Sequence, residues 1–186
     1  MPSDKHSLIR QLKLEPHIEG GWFRRIFEAS HRPAIETDAG ARPTLTAIHY
    51  LLTDDRPIGH WHLNCSDILH FFHAGAPIDY YLLDETHGLR RATLGPDPDA
   101  GHQLCLPVEG GTWKASHLRE GTFGLLSEAV SPGFDYADMT LGRAAELTER
   151  FPQHRRLIER FSKPVGACAS RIRRRIESGS RKAAKP

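Results

Sequence analysis

Cysteine is scarce in this chain. Its 186 residues hold three, Cys65, Cys105 and Cys168, widely spaced and without a Cys-x-x-Cys pair. An odd, scattered set argues against a disulfide framework and fits a reducing cytoplasm. Long apolar runs are missing too: none approaches the roughly 20 residues of a membrane-spanning helix. The opening stretch MPSDKHSLIRQLKLEPH lacks the apolar segment of a secretory leader. A cytoplasmic protein with no membrane partner is therefore expected. There is no glycine-rich phosphate loop, and no spacing from which a Ser/His/Asp set can be argued. Cys65 shares strand parity with Trp61 and Leu63 and has no base on its own side, so nothing supports a nucleophilic role.

Net charge is small, +2, but unevenly placed. Residues 163–186 carry eight Lys or Arg against Glu177 alone, a balance of +7, which leaves the first 162 residues at −5. Such a tail can touch nucleic acid weakly, yet it offers no aromatic platform for base stacking. The length suits one domain, residues 1–162, burying roughly 70% of its unfolded surface, followed by a flexible basic tail at 163–186.

What is present is mostly β pattern. A short helix is expected over residues 4–13, capped by Ser3 or Asp4, with Leu8, Ile9 and Leu12 near helical spacing. EPHIEGGWFRRIF is extended, and residues 30–43, with Pro33, Gly40 and Pro43, read as a loop. From Thr44 to Val130 short strands alternate with turns. TLTAIHYLL (44–52) carries no charge and suits a strand buried on both faces. In HWHLNC the parity puts His60, His62 and Asn64 on one face and Trp61, Leu63 and Cys65 on the other. His70 and His73 have opposite parity and cannot both face an interior. IDYYLLDETHGLRRATLG reads as a hairpin turning at ETHG. After SPGFDYADM the period becomes helical, with Leu147, Phe151, Leu157, Ile158 and Phe161 in phase and Pro152 opening a second helix. Many short strands flanked by helices predict an all-β sandwich or barrel.

The succession LKLEPHIEGGWFRRIF (12–27), TAIHYLLT (46–53), HWHLNCSDILHFFHAG (60–75), LGPDPDAG (94–101), LPVEGGTWKAS (106–116) and VSPGFDYADMTL (130–141) resembles the cupin superfamily. More narrowly, it is similar to a compact one-domain branch defined mainly as a domain of unknown function. The resemblance spans about residues 12–161 and leaves the basic tail outside. It implies a double-stranded β-helix (an RmlC-like jelly-roll barrel) with a short N-terminal helix and C-terminal helices. It also implies a homodimer and a small-molecule ligand in the barrel. Fold alone does not choose among metal-dependent enzymes, metal-free epimerases and binding modules.

Metal-binding cupins typically pair His-x-His with a following Glu and a third His on a later strand. Imidazole and carboxylate together suit Fe, Mn, Ni or Zn. Here His60, His62, Asp67 and His117 are the candidate ligands, with Trp113 standing where the third His would fall. In the branch, Trp61-His62 and Ser66-Asp67 match while Ile68 replaces a Glu and His60 is also a departure. Glu128, an acid within the apolar strand TFGLLSEAV, is a candidate replacement, because a buried carboxylate has its pKa raised. In the branch's Glu-Gly-Gly motif, Glu19, Gly20, Gly21, Phe23 and Arg24 match and Arg25 replaces an acid. Arg24 and Arg25 are candidate anion clamps, and Trp61, His49 and Trp113 candidate substrate contacts. Tyr50, Tyr80, Tyr81 and Phe72 read as core, and Asp135 and Asp138 as turn acids. Three functions are open: proton transfer on a sugar-like or anionic metabolite with His62 as base aided by Asp67 or Glu128; metal-dependent chemistry; or a binding or assembly module using the tail.

Overall fold

The strands read between Thr44 and Val130 close into two facing antiparallel sheets. The computed structural model describes residues 4–164. Helix α1 (Lys5–Gln11) is capped by Asp4, whose carboxylate accepts from the backbone N–H groups of His6 and Ser7. The first sheet runs, in spatial order, β1 (Glu15–Pro16), β2 (Trp22–Glu28), β5 (Thr46–Thr53), β12 (Phe123–Ser131), β7 (Asp67–Gly75) and β10 (Cys105–Val108). The second runs β13 (Met139–Leu141), β6 (Ile58–Asn64), β11 (Trp113–His117), β8 (Ile78–Asp84) and β9 (Gly88–Leu94). Helices α2 (Ala144–Arg150) and α3 (Arg155–Phe161) follow, joined by a 3-10 turn at Pro152–His154. None of the helices among the described residues is long and apolar enough to cross a membrane.

Between the sheets lie Tyr50, Leu52, Ile78, Tyr80, Leu82, Leu94, Leu106, Val108, Leu118 and Leu126. Outside the second sheet, α2 and α3 bring Leu147, Phe151, Ile158 and Phe161 onto Trp61, Leu83 and Ala115. Outside the first sheet, α1 covers one end through Leu8, which meets Leu14, Leu51 and Leu125. Leu51 and Leu52 therefore point to opposite sides of β5 and are both fully buried, as its uncharged sequence requires.

Two local expectations are corrected. The stretch expected as a loop over 30–43 contains a hairpin, β3 (Ile35–Thr37) and β4 (Gly40–Arg42). Its anchor is Arg42, which grips Asp138 through two hydrogen bonds of 2.6 and 2.8 Å with both side chains buried. Asp138 is thus the counter-ion of a buried guanidinium, while Asp135 does cap its turn. The second correction is a bulge between β6 and β11. His62 pairs with Lys114 and Gly59 with Ser116, so His60 and Trp61 share the single step opposite Ala115. The parity of β6 resets there. Gly59 faces the interior, where a Cβ would fall 2.3 Å from the Ser116 hydroxyl. The basic segment beyond residue 164 lies outside the described residues.

Candidate functional site

The interior is not apolar throughout. Lys114 on β11 stands opposite His62 and Leu82, so it projects between the sheets and is 3% exposed. His70 on β7 pairs with Glu128 on β12 and Leu106 on β10, and all three point inward. Glu19 arrives from the turn between β1 and β2. Gly20 there has φ +109°, and a Cβ would sit 2.0 Å from the Ile58 carbonyl oxygen, so glycine is required. The turn is pinned by the Tyr50 hydroxyl donating to the Gly20 carbonyl at 3.0 Å and by the His60 N–H donating to the Glu19 carbonyl. That pins Glu19 to the barrel wall, where its side chain is buried against His17 and His62.

The contacts define two halves. In one, Glu19 Oε2 lies 3.3 Å from both His17 Nδ1 and His62 Nε2. His62 Nδ1 sits 2.7 Å from the His60 carbonyl and, facing an acceptor, carries the proton. The lone pair is then on Nε2, which is buried and has no aligned donor. In the other half, His70 Nδ1 donates to the Leu106 carbonyl at 3.1 Å, so Nε2 accepts from the Lys114 ammonium at 2.9 Å. Glu128 lies 3.5 Å from His70 and 3.8 Å from Lys114. Burial pushes His62 down to about 4, with Glu19 pulling the other way and Lys114 adding to the fall. Burial, then Lys114, lowers His70 as well, so both imidazoles are neutral at pH 7. Burial alone would raise Glu19, but His62, His17 and Lys114 outweigh it and hold its carboxyl well below the ordinary range. Burial raises Glu128 despite Lys114. Tyr50 and Tyr80 are raised by burial and stay phenols.

Of the candidates read from sequence, His62 and Glu128 come together here with Lys114 and Glu19. Asp67 does not: it is exposed, and its carboxylate accepts from the Gly110 N–H at 2.8 Å, bracing a turn. The bulge sends His60 toward α3, where Nδ1 lies 3.1 Å from the Phe161 carbonyl. Trp61 is fully buried in the helix-covered layer, and Trp113 packs against the same layer. His117 shares that outer face and lies against the Phe161 ring at 5.4 Å. Arg24 and Arg25 are exposed on β2, Arg25 pairing with Glu28 at 2.8 Å. His49 is outside too, 3.0 Å from the Ser127 hydroxyl, which also meets His73 at 2.6 Å. As parity requires, His70 is inside and His73 outside. Tyr50, Tyr80 and Phe72 belong to the inner core, whereas Tyr81 stacks on Phe161 outside.

The residues to which the sequence alone assigns no part in the site are Lys114, His70, His17 and Glu19. For Lys114 a signal existed, a lysine of opposite parity to Trp113 in the strand TWKASH.

The donor set does not suit a divalent metal. His60, Asp67 and His117 point elsewhere, and the Lys114 ammonium holds the His70 Nε2 lone pair that a metal would need. Among the described residues no group of three His, Cys, Asp or Glu side chains has the geometry to hold an ion.

Asn64, Ser66, Ile68, Val108, Glu109, Thr112 and Lys114 line a crevice too narrow to admit a water-sized molecule as the side chains are packed.

Residues 6–142 match the family model described as "Cupin superfamily (DUF985)". The chain is 34% identical over 152 residues to the uncharacterized protein YML079W of Saccharomyces cerevisiae, covering 75% of each. Among solved structures, a hypothetical protein from Leishmania major superposes with a TM-score of 0.81 at 28% identity, over 87% of this chain and 100% of that one. Protein SO0799 from Shewanella oneidensis gives 0.79 at 29% identity, over 87% and 99%.

Proposed function

The chain belongs to the cupin superfamily, in its DUF985 family, and on that premise we propose that it binds a small sugar-like or anionic metabolite between its sheets and moves a proton on it, as an epimerase or isomerase does. The observation that carries this is the sealed set of neutral bases and a raised acid: His62 with an unpaired Nε2, and Glu128 beside His70 and Lys114. A neutral imidazole is ready to accept a proton, and Glu19 lies beside it to stabilise the imidazolium that results. Glu128, with its raised pKa, returns a proton or accepts the next one.

Holding the substrate falls to Lys114 and Asn64 at the crevice, not to the exposed Arg24 and Arg25. A reducing cytoplasm belongs to the same proposal and accords with free Cys65 and Cys105, both exposed. An assembly role for the tail rests on residues outside those described. The test is solvent exchange: the protein in deuterium oxide with a panel of short aldoses, ketoses and hydroxy acids, followed by proton NMR. Deuterium should enter one carbon-bound position, about 100-fold more slowly or worse in Glu128→Gln and His62→Gln. Equal rates in all three proteins, or no exchange with any compound, would overturn it.

A further inference from the structure

The outer layer over the second sheet leaves an open cleft where β9, the last strand of that sheet, meets the start of α3. Its volume is about 420 Å³, and its lining is of two kinds: the apolar Leu89, Pro152 and Leu157, and the basic Arg91, Arg155 and Arg156. Gln153 and His154 add further donors, and no Asp or Glu lines it. The cleft is separate from the proton-transfer cluster. Arg91 pairs with Tyr81, which stacks on Phe161 outside the sheet, whereas Lys114 pairs with Leu82 and faces the interior. Nearby arginines are already matched with acids. Arg90 meets Asp84 at 2.7 Å and Arg150 meets Glu85 at 2.8 Å, so both acids of the β8–β9 turn are engaged. Arg91 lies instead over the Tyr81 ring, 5.7 Å from its centroid. Among the described residues, no carboxylate lies within ion-pair distance of Arg91, Arg155 or Arg156.

We propose that this cleft binds a small organic phosphate ester, its phosphate held by Arg91, Arg155 and Arg156 and its carbon body resting on Leu89, Pro152 and Leu157. A guanidinium presents paired N–H donors that match two phosphate oxygens. A phosphate ester carries about two negative charges at pH 7, against one for a carboxylate, so it answers several guanidinium groups at once. Size points the same way, because small-molecule pockets run about 300–1,000 Å³. A long polyanion fits less well. The first 162 residues carry a net charge of −5, which repels one beyond the cleft, and no Phe, Tyr or Trp lines the cleft to stack a base.

Calorimetry on the full chain tests this with phenyl phosphate and adenosine 5′-monophosphate as probes. Both should bind, and benzoate, with one charge, should bind about 10-fold more weakly or worse. Arg91→Gln and the double variant Arg155→Gln/Arg156→Gln should each lose about 10-fold in affinity for the two esters. All three arginines are exposed, so the melting temperatures should match wild type. Every protein keeps the same basic segment at 163–186, so a difference between them reports the cleft. A second readout needs no variant: in wild type, the phenyl protons should show nuclear Overhauser contacts to the methyl groups of Leu89 and Leu157. Equal affinity in wild type and the double variant, binding without those methyl contacts, or no binding of either ester would overturn the site. So would a single-stranded oligonucleotide whose binding depends on Arg155 and Arg156 while both esters fail, since the cleft would then belong to a nucleic-acid surface.

Discussion

At the residue scale the buried histidines tie stability to pH. His62 falls from 6.5 to about 4 on burial, a shift worth about 3 kcal/mol, and His70 is lowered in the same sense. Between the folded and unfolded values the unfolded chain binds the extra proton. The contribution is therefore complete above about pH 6.5 and is lost as pH falls. Glu19, also lowered, adds to the loss further into acid, below its ordinary 4.5. Glu128 is raised, so its contribution is fullest in acid and is lost as pH rises above 4.5, partly opposing the histidines. Urea titrations should show the free energy of unfolding dropping by about 2 kcal/mol or more between pH 7.5 and 5, with a shallower slope in His62→Gln. A flat profile over that range would mean that these rings are solvated.

At the element scale the outer layer over the second sheet holds the site's wall in place. Phe161 is fully buried, stacks on Tyr81 at 4.9 Å and offers its carbonyl to His60. Phe161→Ala should cost about 3–5 kcal/mol by urea titration, a loss well beyond a surface change. A loss below about 1 kcal/mol would show that α3 is an appendage. This layer also explains what the sequence reveals and what it conceals. Alternation over Thr44–Val130 gives the strands, and the change of period after Gly142 gives α2 and α3, because each reports which side of an element meets apolar matter. It does not report which apolar side is the barrel interior and which lies beneath helices. Trp61 and Trp113 are apolar for the second reason, so Lys114, between Trp113 and Ala115, is the one that turns inward. The bulge is equally silent: one extra residue on β6 separates His60 from His62, although their spacing alone makes them a pair. Glu128 is legible, since an acid in an apolar strand has few places to go. Glu19 as a partner of His62 is not, because a turn 43 positions away delivers it.

At the scale of the whole molecule the two sheets are treated unequally. The second sheet's outer face lies under α2 and α3, whereas among the described residues the first is covered only at the α1 end. Two rows cross the rest of that face. Phe27, Ala47, Ala129, Leu69 and Pro107 form one, and Arg24, His49, Ser127, Phe71 and Cys105 the other. Leu69 and Phe71, two apart on β7, are 42 and 37% exposed, and Phe27, three strands away in the same face, is 43% exposed. From β5 to β10 the rows hold no acid, lysine or arginine, so a second copy placed across a two-fold axis meets its own apolar strip without like-charge repulsion. We propose that the homodimer implied by the family resemblance forms through this face. Light scattering coupled to size-exclusion chromatography should then give twice the mass of the chain for wild type. Phe71→Glu, which sets a carboxylate into the strip of each copy, should give the monomer mass with an unchanged circular dichroism spectrum. A wild-type monomer, or a Phe71→Glu protein that stays dimeric, would show that the uncovered face of the first sheet is not where two copies meet.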